Sequence, residues 1–236
     1  VSFTKKTLSN GLKVVLAERH NIPVVNFNMI FDAGFSADQF AAPGTANLTS
    51  SVIDEGTKTR TSLQISEELQ NLGAFIGSSA GLDFSTLSLS ALKMNLDKSL
   101  EIFTDVLLNP SFPQTDFDRL KKTQLAQIKQ EKTTPRMIAL RVFPKILFGE
   151  GHAYGNPFTG SGYEESVEKI TREDLIKFYN TWYRPNNATL VVVGDITMDE
   201  LVPKLEKLLK NWKSAEVPKK NISTVSNKPK SEFYLI

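Results

Sequence analysis

Asn10-Gly11 stands between two runs of alternating side chains, residues 4–10 and 12–18. A two-residue turn whose twist matches paired strands needs positive φ at both positions, and Asn-Gly is the dipeptide that supplies it. Leu12, Val14 and Leu16 alternate with Lys13, Val15 and Ala17, so the hairpin has one apolar face. Val24 to Phe31 (VVNFNMIF) is a further alternating strand, stopped at Asp32-Ala33-Gly34. Ala74 to Ala80 and Phe84 to Leu92 pair around Gly81-Leu82-Asp83, and Ala188 to Val193 is an apolar strand closed by Gly194-Asp195. These strands come as antiparallel-looking pairs with helices grouped between them, not as alternating βαβ units. The pattern implies an α+β fold: a largely antiparallel or mixed sheet of about six strands with helices packed on one face.

The helices announce themselves by their ends. Gly73 closes a helix over Leu63 to Leu72, and Asn109-Pro110 closes one from Asn95 to Leu108. Thr115-x-x-Asp118 resembles a capping box opening a long helix from Asp116 to Lys132. Pro135 interrupts it, and further helices are expected over 137–148, 171–182 and 199–212. Phe35 to Ala42 and the Gly-rich 149–162 read as loops, and Lys213 to Ser231, polar and aperiodic, as a linker. EFYLI at 232–236 then looks like the start of another strand. The expected organisation is one α+β domain over 1–212, with 213–236 a linker and the start of a second, homologous half.

Between Pro43-Gly44 and Asp54-Glu55-Gly56 lies one more helix, TANLTSSVI. Residues at i, i+3 and i+4 share a helix face, so Asn47, Ser50 and Ser51 line up beside the apolar Ala46, Leu48, Val52 and Ile53. A helical H-x-x-E-H puts two imidazoles and a carboxylate in that same arrangement, where the imidazoles hold zinc and the Glu polarises its water. Amides and hydroxyls are poor donors to that metal. By residue type the face belongs to a packed helix with small polar residues on an open side.

Other candidate groups are sparse. Only two histidines exist, His20 and His152, each in a loop, and a zinc site needs three or four converging ligands. Asp54-Glu55 and Glu67-Glu68 read as solvated helix faces, and Ser78, Ser79 and Ser161 have no local partner that would activate a hydroxyl. Without cysteine there is no disulfide, thiolate nucleophile or Cys-based zinc site. With 28 basic and 26 acidic residues the chain makes no general case for nucleic acid or an anionic membrane, and the lysines between 207 and 220 lack interleaved aromatics apart from Trp212. No window approaches a transmembrane run.

Taken in order, six segments resemble the pitrilysin/insulinase class of zinc peptidases, the clan that includes the mitochondrial processing peptidase. They are 7–34, 43–60, 69–92, 108–122, 148–160 and 182–197, and the similarity is strongest to the N-terminal half of bacterial two-half members. The resemblance implies the metallohydrolase-like fold of that clan. It also implies that Asn47 stands at the first zinc His, Ser50 at the catalytic Glu and Ser51 at the second His. Gln127, 76 residues beyond Ser51, then stands at the third ligand, a Glu. All four positions lack the family's chemistry, the pattern of its non-catalytic subunits. No metal or cofactor is therefore expected, and no catalytic residue. The implied partners are an active zinc-peptidase homologue in a heterodimer, a peptide substrate, and a second homologous half of the same chain. The implied peptide site is an edge strand over Ala74, Phe75, Ile76, Gly77, Ser78, Ser79 and Ala80, whose small residues let another backbone approach. For a bacterial member the periplasm is favoured over the cytoplasm. The competing readings are a scaffold protein that kept the fold without peptide binding, and a zinc peptidase with unusual ligands.

Overall fold

Alternation is what assembles the sheet. In the computed structural model, which describes residues 2–226 and 230–235, six strands form: β1 (Thr4–Thr7), β2 (Lys13–Glu18), β3 (Val24–Phe31), β4 (Phe75–Ala80), β5 (Ser85–Leu92) and β6 (Ala188–Gly194). Their order across the sheet is β1-β2-β6-β3-β5-β4. Val14, Leu16, Val25, Phe27, Met29, Phe31, Leu87, Leu89, Leu190 and Val192 are buried on one face. The residues between them in the sequence, among them Asn28, Ile30, Thr86, Ser88 and Val191, stay half-exposed on the other face. A period of two under one layer of helices produces this split.

The sheet is mixed as expected, but its centre was not legible. β6 inserts between β2 and β3, parallel to β2 (Leu16 opposite Val192) and antiparallel to β3 (Phe27 opposite Val192). The strand farthest along the chain thus joins the N-terminal hairpin to the rest. Its all-apolar run, Leu190 to Val193, suits a strand flanked on both sides.

Among the described residues there are eight α-helices, and all but α6 follow the sequence reading with shifts of a few residues: α1 (Thr45–Val52), α2 (Ser62–Leu72), α3 (Leu96–Leu108), α4 (Gln114–Glu131), α5 (Pro135–Phe148), α6 (Glu164–Lys169), α7 (Arg172–Trp182) and α8 (Met198–Leu209). α3 lays Leu100, Phe103, Val106 and Leu107 into the core. α2 and α7 begin at capping boxes, Thr61 with Gln64 and Thr171 with Asp174. Thr115 and Asp118 form no such box. The Phe117 N–H already bonds the Pro113 carbonyl at 2.9 Å, so Thr115 lies inside the first turn and Asp118 instead accepts from Gln114 Nε2 at 3.0 Å. The short elements escaped the sequence reading: α6 and the 3-10 helices over Phe35–Phe40, Lys93–Asn95 and Pro185–Asn187.

Residues 213–226 hold no helix or strand, yet they are strapped to the domain. Ser214 Oγ donates to the Asn10 carbonyl at 2.6 Å, Lys220 Nζ pairs with Asp32, and the Ala153 N–H donates to the Asn221 carbonyl at 2.9 Å. Residues 232–235 are in no strand; Ile236 lies outside the described residues.

Candidate functional site

Three of the four positions singled out on the sequence sit on α1, a helix of eight residues that is held at both ends. Gly44 precedes it with φ 103°, a conformation that favours glycine, and its own side cannot supply a cap. The cap comes from Asp38, six residues upstream in the 3-10 helix. Asp38 Oδ2 accepts from the Gly44 N–H at 2.7 Å and Oδ1 from the Ala46 N–H at 2.8 Å. Burial pushes this carboxyl up to about 7, against the pull of the two backbone donors. Ala46, Leu48, Val52 and Ile53 are fully buried and fix which face points outward.

That face carries Asn47, Ser50 and Ser51 as the i, i+3, i+4 rule requires. Asn47 is half-buried and Nδ2 donates to Gln124 Oε1 on α4 at 3.1 Å. Gln124 is buried, and its Nε2 donates to the carbonyls of Gly44 at 3.0 Å and Ser161 at 2.9 Å. Every hydrogen-bonding atom of that amide end is used. Ser50 is buried against β4, with its Oγ 2.8 Å from Ser78 Oγ. Ser78 Oγ donates onward to the Thr86 carbonyl at 3.1 Å, so the proton of the Ser50 hydroxyl goes to Ser78. Ser51 is exposed and donates back to the Asn47 carbonyl at 3.0 Å.

Gln127 lies one turn beyond Gln124 on α4. It is exposed, makes no hydrogen bond to α1, and donates from Nε2 to Glu131 Oε1 at 3.0 Å. The α1–α4 contact therefore runs through Gln124, which sequence reasoning missed. The signal for it was present: Gln124 sits three residues before Gln127, on the same stripe of α4 as the buried Phe117 and Ile128.

Glu131 belongs to a buried ionic knot. Its Oε2 accepts from Arg141 Nη1 at 2.6 Å and from Ser161 Oγ at 2.7 Å, and Arg141 Nη2 donates to the Gly162 carbonyl at 2.7 Å. Ser161 has no activating partner nearby in sequence, as expected, but finds a distant carboxylate in Glu131. That carboxylate is neutralised by Arg141, and Ser161 is fully buried, so no substrate reaches its hydroxyl. The knot ties α4, α5 and the end of the Gly-rich loop together behind α1.

The donor set of the α1 face is amide and hydroxyl oxygen, most of it already hydrogen-bonded. It does not fit zinc, which takes imidazole, thiolate or carboxylate. The two histidines stand elsewhere. His20 is exposed, with Nδ1 2.6 Å from Asp195 Oδ1, a contact that, with Glu18, raises its pKa. His152 donates from Nε2 to the Ser223 carbonyl at 3.0 Å and accepts the Tyr154 N–H on Nδ1. Among the described residues no three His, Asp or Glu side chains cluster to hold a metal ion.

Beside this face lies β4, the last strand on its side of the sheet and, among the described residues, paired only with β5. Ile76 points into the core, while Phe75 and Ser79 are exposed on the open face. Ala74 falls one residue before the strand. Phe75 folds its ring over Gly77, where an added Cβ would meet Phe75 Cε1 at 3.0 Å. The free edge and its small residues leave room for another backbone. Among the described residues no helix is long and apolar enough to cross a membrane.

Residues 13–157 match the family model described as insulinase (peptidase family M16), and residues 169–236 match the peptidase M16 inactive domain. A zinc protease of Rickettsia bellii is 26% identical over 218 residues, covering 91% of this chain and 52% of that protein. The mitochondrial-processing peptidase subunit beta of Caenorhabditis elegans is 26% identical over 206 residues, covering 85% of this chain and 43% of that one. Among solved structures, a peptidase M16 inactive domain from Pseudomonas fluorescens superposes with a TM-score of 0.87 at 26% identity, covering 94% of this chain and 53% of the other. The first half of the periplasmic protease PqqL from Escherichia coli shares the fold, with a TM-score of 0.79 at 20% identity over 96% of this chain and 49% of that one. The chain spans about half the length of the curated relatives it matches.

Proposed function

This chain belongs to peptidase family M16, the insulinase family, and on that footing we propose that it is a non-catalytic member that holds extended peptide beside an active homologue. One observation carries the reading. At the face where the family's chemistry would lie, Asn47 is tied to Gln124 and Ser50 to Ser78, so the positions are filled by neutral groups satisfied among themselves. No side chain on that face can act as a general base or a zinc ligand. The match to the M16 inactive domain supports the same conclusion.

The free edge of β4 supports the peptide-holding half of the proposal. An extended segment laid along an edge gains main-chain hydrogen bonds without needing any catalytic group. Under this reading residues 74–80 form one wall of the site. The opposite wall comes from a second half of the same design and from the active partner, in keeping with relatives about twice as long. A periplasmic setting, as for PqqL, fits this arrangement.

The test is direct. Purified protein, alone and mixed with a homologue bearing an intact H-x-x-E-H, is assayed for bound zinc, for peptide hydrolysis, and for binding of fluorescein-labelled extended peptides by anisotropy. The expected result is no hydrolysis by the chain alone, saturable peptide binding, and a stable complex with the homologue. Stoichiometric zinc together with chelator-sensitive hydrolysis by the isolated chain would overturn the non-catalytic reading. Absence of peptide binding by both the chain and the complex would overturn the peptide-holding one.

A further inference from the structure

On the helix side of the β4 edge is a cleft of about 380 Å³ between the end of α1, α2 and the start of β4. Ile65 and Leu69 of α2 and Ile76 of β4 line it together with Ser62, Ser66 and Gln70, and so do Asp54 and Glu55 from the turn after α1. Among the described residues no lysine or arginine lines it. Sequence reasoning put Asp54-Glu55 on a solvated helix face; in the structure both are half-buried. Glu55 shares its charge with Arg119 at 2.8 Å. Asp54 is different. Among the described residues it has no cation and no side-chain donor, and it accepts only from its own backbone N–H. A half-buried carboxylate left without a counter-charge is costly, and the cost is recovered when a cation arrives.

We propose that this cleft receives a lysine or arginine side chain from an extended peptide lying on the β4 edge. The inference rests on the edge-strand reading above and adds a substrate class to it, peptides with a basic residue. The fit is chemical. A basic side chain is an aliphatic stem with a charged head, and the cleft sets the apolar Ile65, Leu69 and Ile76 beside the carboxylates of Asp54 and Glu55. Charge-assisted hydrogen bonds to carboxylate are the strong ones. Burial raises the Asp54 carboxyl to about 6, which leaves it ionised for this role at pH 7.5. A neutral isostere of lysine, norleucine, keeps the stem contacts and loses the head.

Fluorescein-labelled nonapeptides of alternating threonine and serine, with one central lysine, arginine or norleucine, are titrated by anisotropy at pH 7.5 and low salt. Wild type binds the basic peptides about tenfold more tightly than the norleucine peptide, the factor corresponding to about 1.4 kcal/mol. Asp54→Asn abolishes that preference and leaves norleucine-peptide affinity unchanged; the variant removes an unpaired charge and keeps the shape. Equal binding of the lysine and norleucine peptides by wild type overturns the cleft assignment while the edge reading stands. An equal loss of both peptides in Asp54→Asn does the same. If no peptide binds, the edge reading falls, and Nα-acetyl-arginine amide decides the cleft alone. Saturable NMR shifts of the Ile65, Leu69 and Ile76 methyls, lost in Asp54→Asn, uphold it as a cation site, and no shift overturns it.

Discussion

Replacing Arg141 by methionine keeps the length of the stem and removes the charge from the knot behind α1. The guanidinium gives up three bonds: to Glu131 Oε2 at 2.6 Å, to Ser161 Oγ at 2.8 Å and to the Gly162 carbonyl at 2.7 Å. Both ionic partners are almost fully buried, with side chains 8% and 7% exposed. Glu131 is left with two neutral donors, Ser161 and Gln127. Breaking one side of a buried pair costs about 3–5 kcal/mol, because the surviving charge stays desolvated. Removing both charges is different. Glu131→Gln with Arg141→Met leaves no ion to solvate and keeps an acceptor for Ser161. The double variant therefore lies within about 2 kcal/mol of wild type. Urea unfolding at pH 7.5 measures all four corners of the cycle, with a shared slope confirming that the denatured states are comparable. A loss below about 1 kcal/mol in Arg141→Met would refute the reasoning. A double variant no more stable than that single one would do so as well.

Two further outcomes follow from the anchoring of α1. Asp38 titrates at about 7 in the fold against 3.8 as its ordinary value, so the folded chain holds the extra proton between those limits. Its contribution makes the fold less stable as pH rises from about 4 to about 7; Asp38→Asn removes that slope from the pH profile of unfolding, and parallel profiles would contradict it. At Gly44, with φ 103°, an added Cβ would lie 2.7 Å from Gln124 Nε2 and 2.9 Å from the Ser161 carbonyl oxygen. Gly44→Ala is expected to cost at least about 2 kcal/mol more in thermal or urea unfolding than Gly151→Ala, which also has a positive φ (77°) but meets nothing within 4 Å. Equal losses at the two sites would show that crowding at Gly44 is not what matters.

Much of the candidate site was legible because helical spacing is local. Asn47, Ser50 and Ser51 share a face by the geometry of one turn, whatever packs around it. The edge strand was legible as a strand for the same reason, through its alternation against 85–92. Their surroundings were not. Gln124 rather than Gln127 meets Asn47 because the roll of α4 about its axis is set by Phe117 and Ile128 entering the core. Ser161 finds Glu131 across 30 residues of chain, and Asp38 caps a helix it does not belong to.

What the sequence determined by itself is therefore the set of elements, their amphipathic faces and the absence of imidazole and carboxylate on the α1 face. Each of these depends only on backbone periods and residue chemistry within a few positions. Tertiary structure alone decided that β6 enters the middle of the sheet. It also decided that Asp54 loses its solvent without gaining a counter-charge. These depend on which distant surfaces exclude water from one another, and apolar burial is non-directional, so a local pattern names the face that must be covered without naming what covers it.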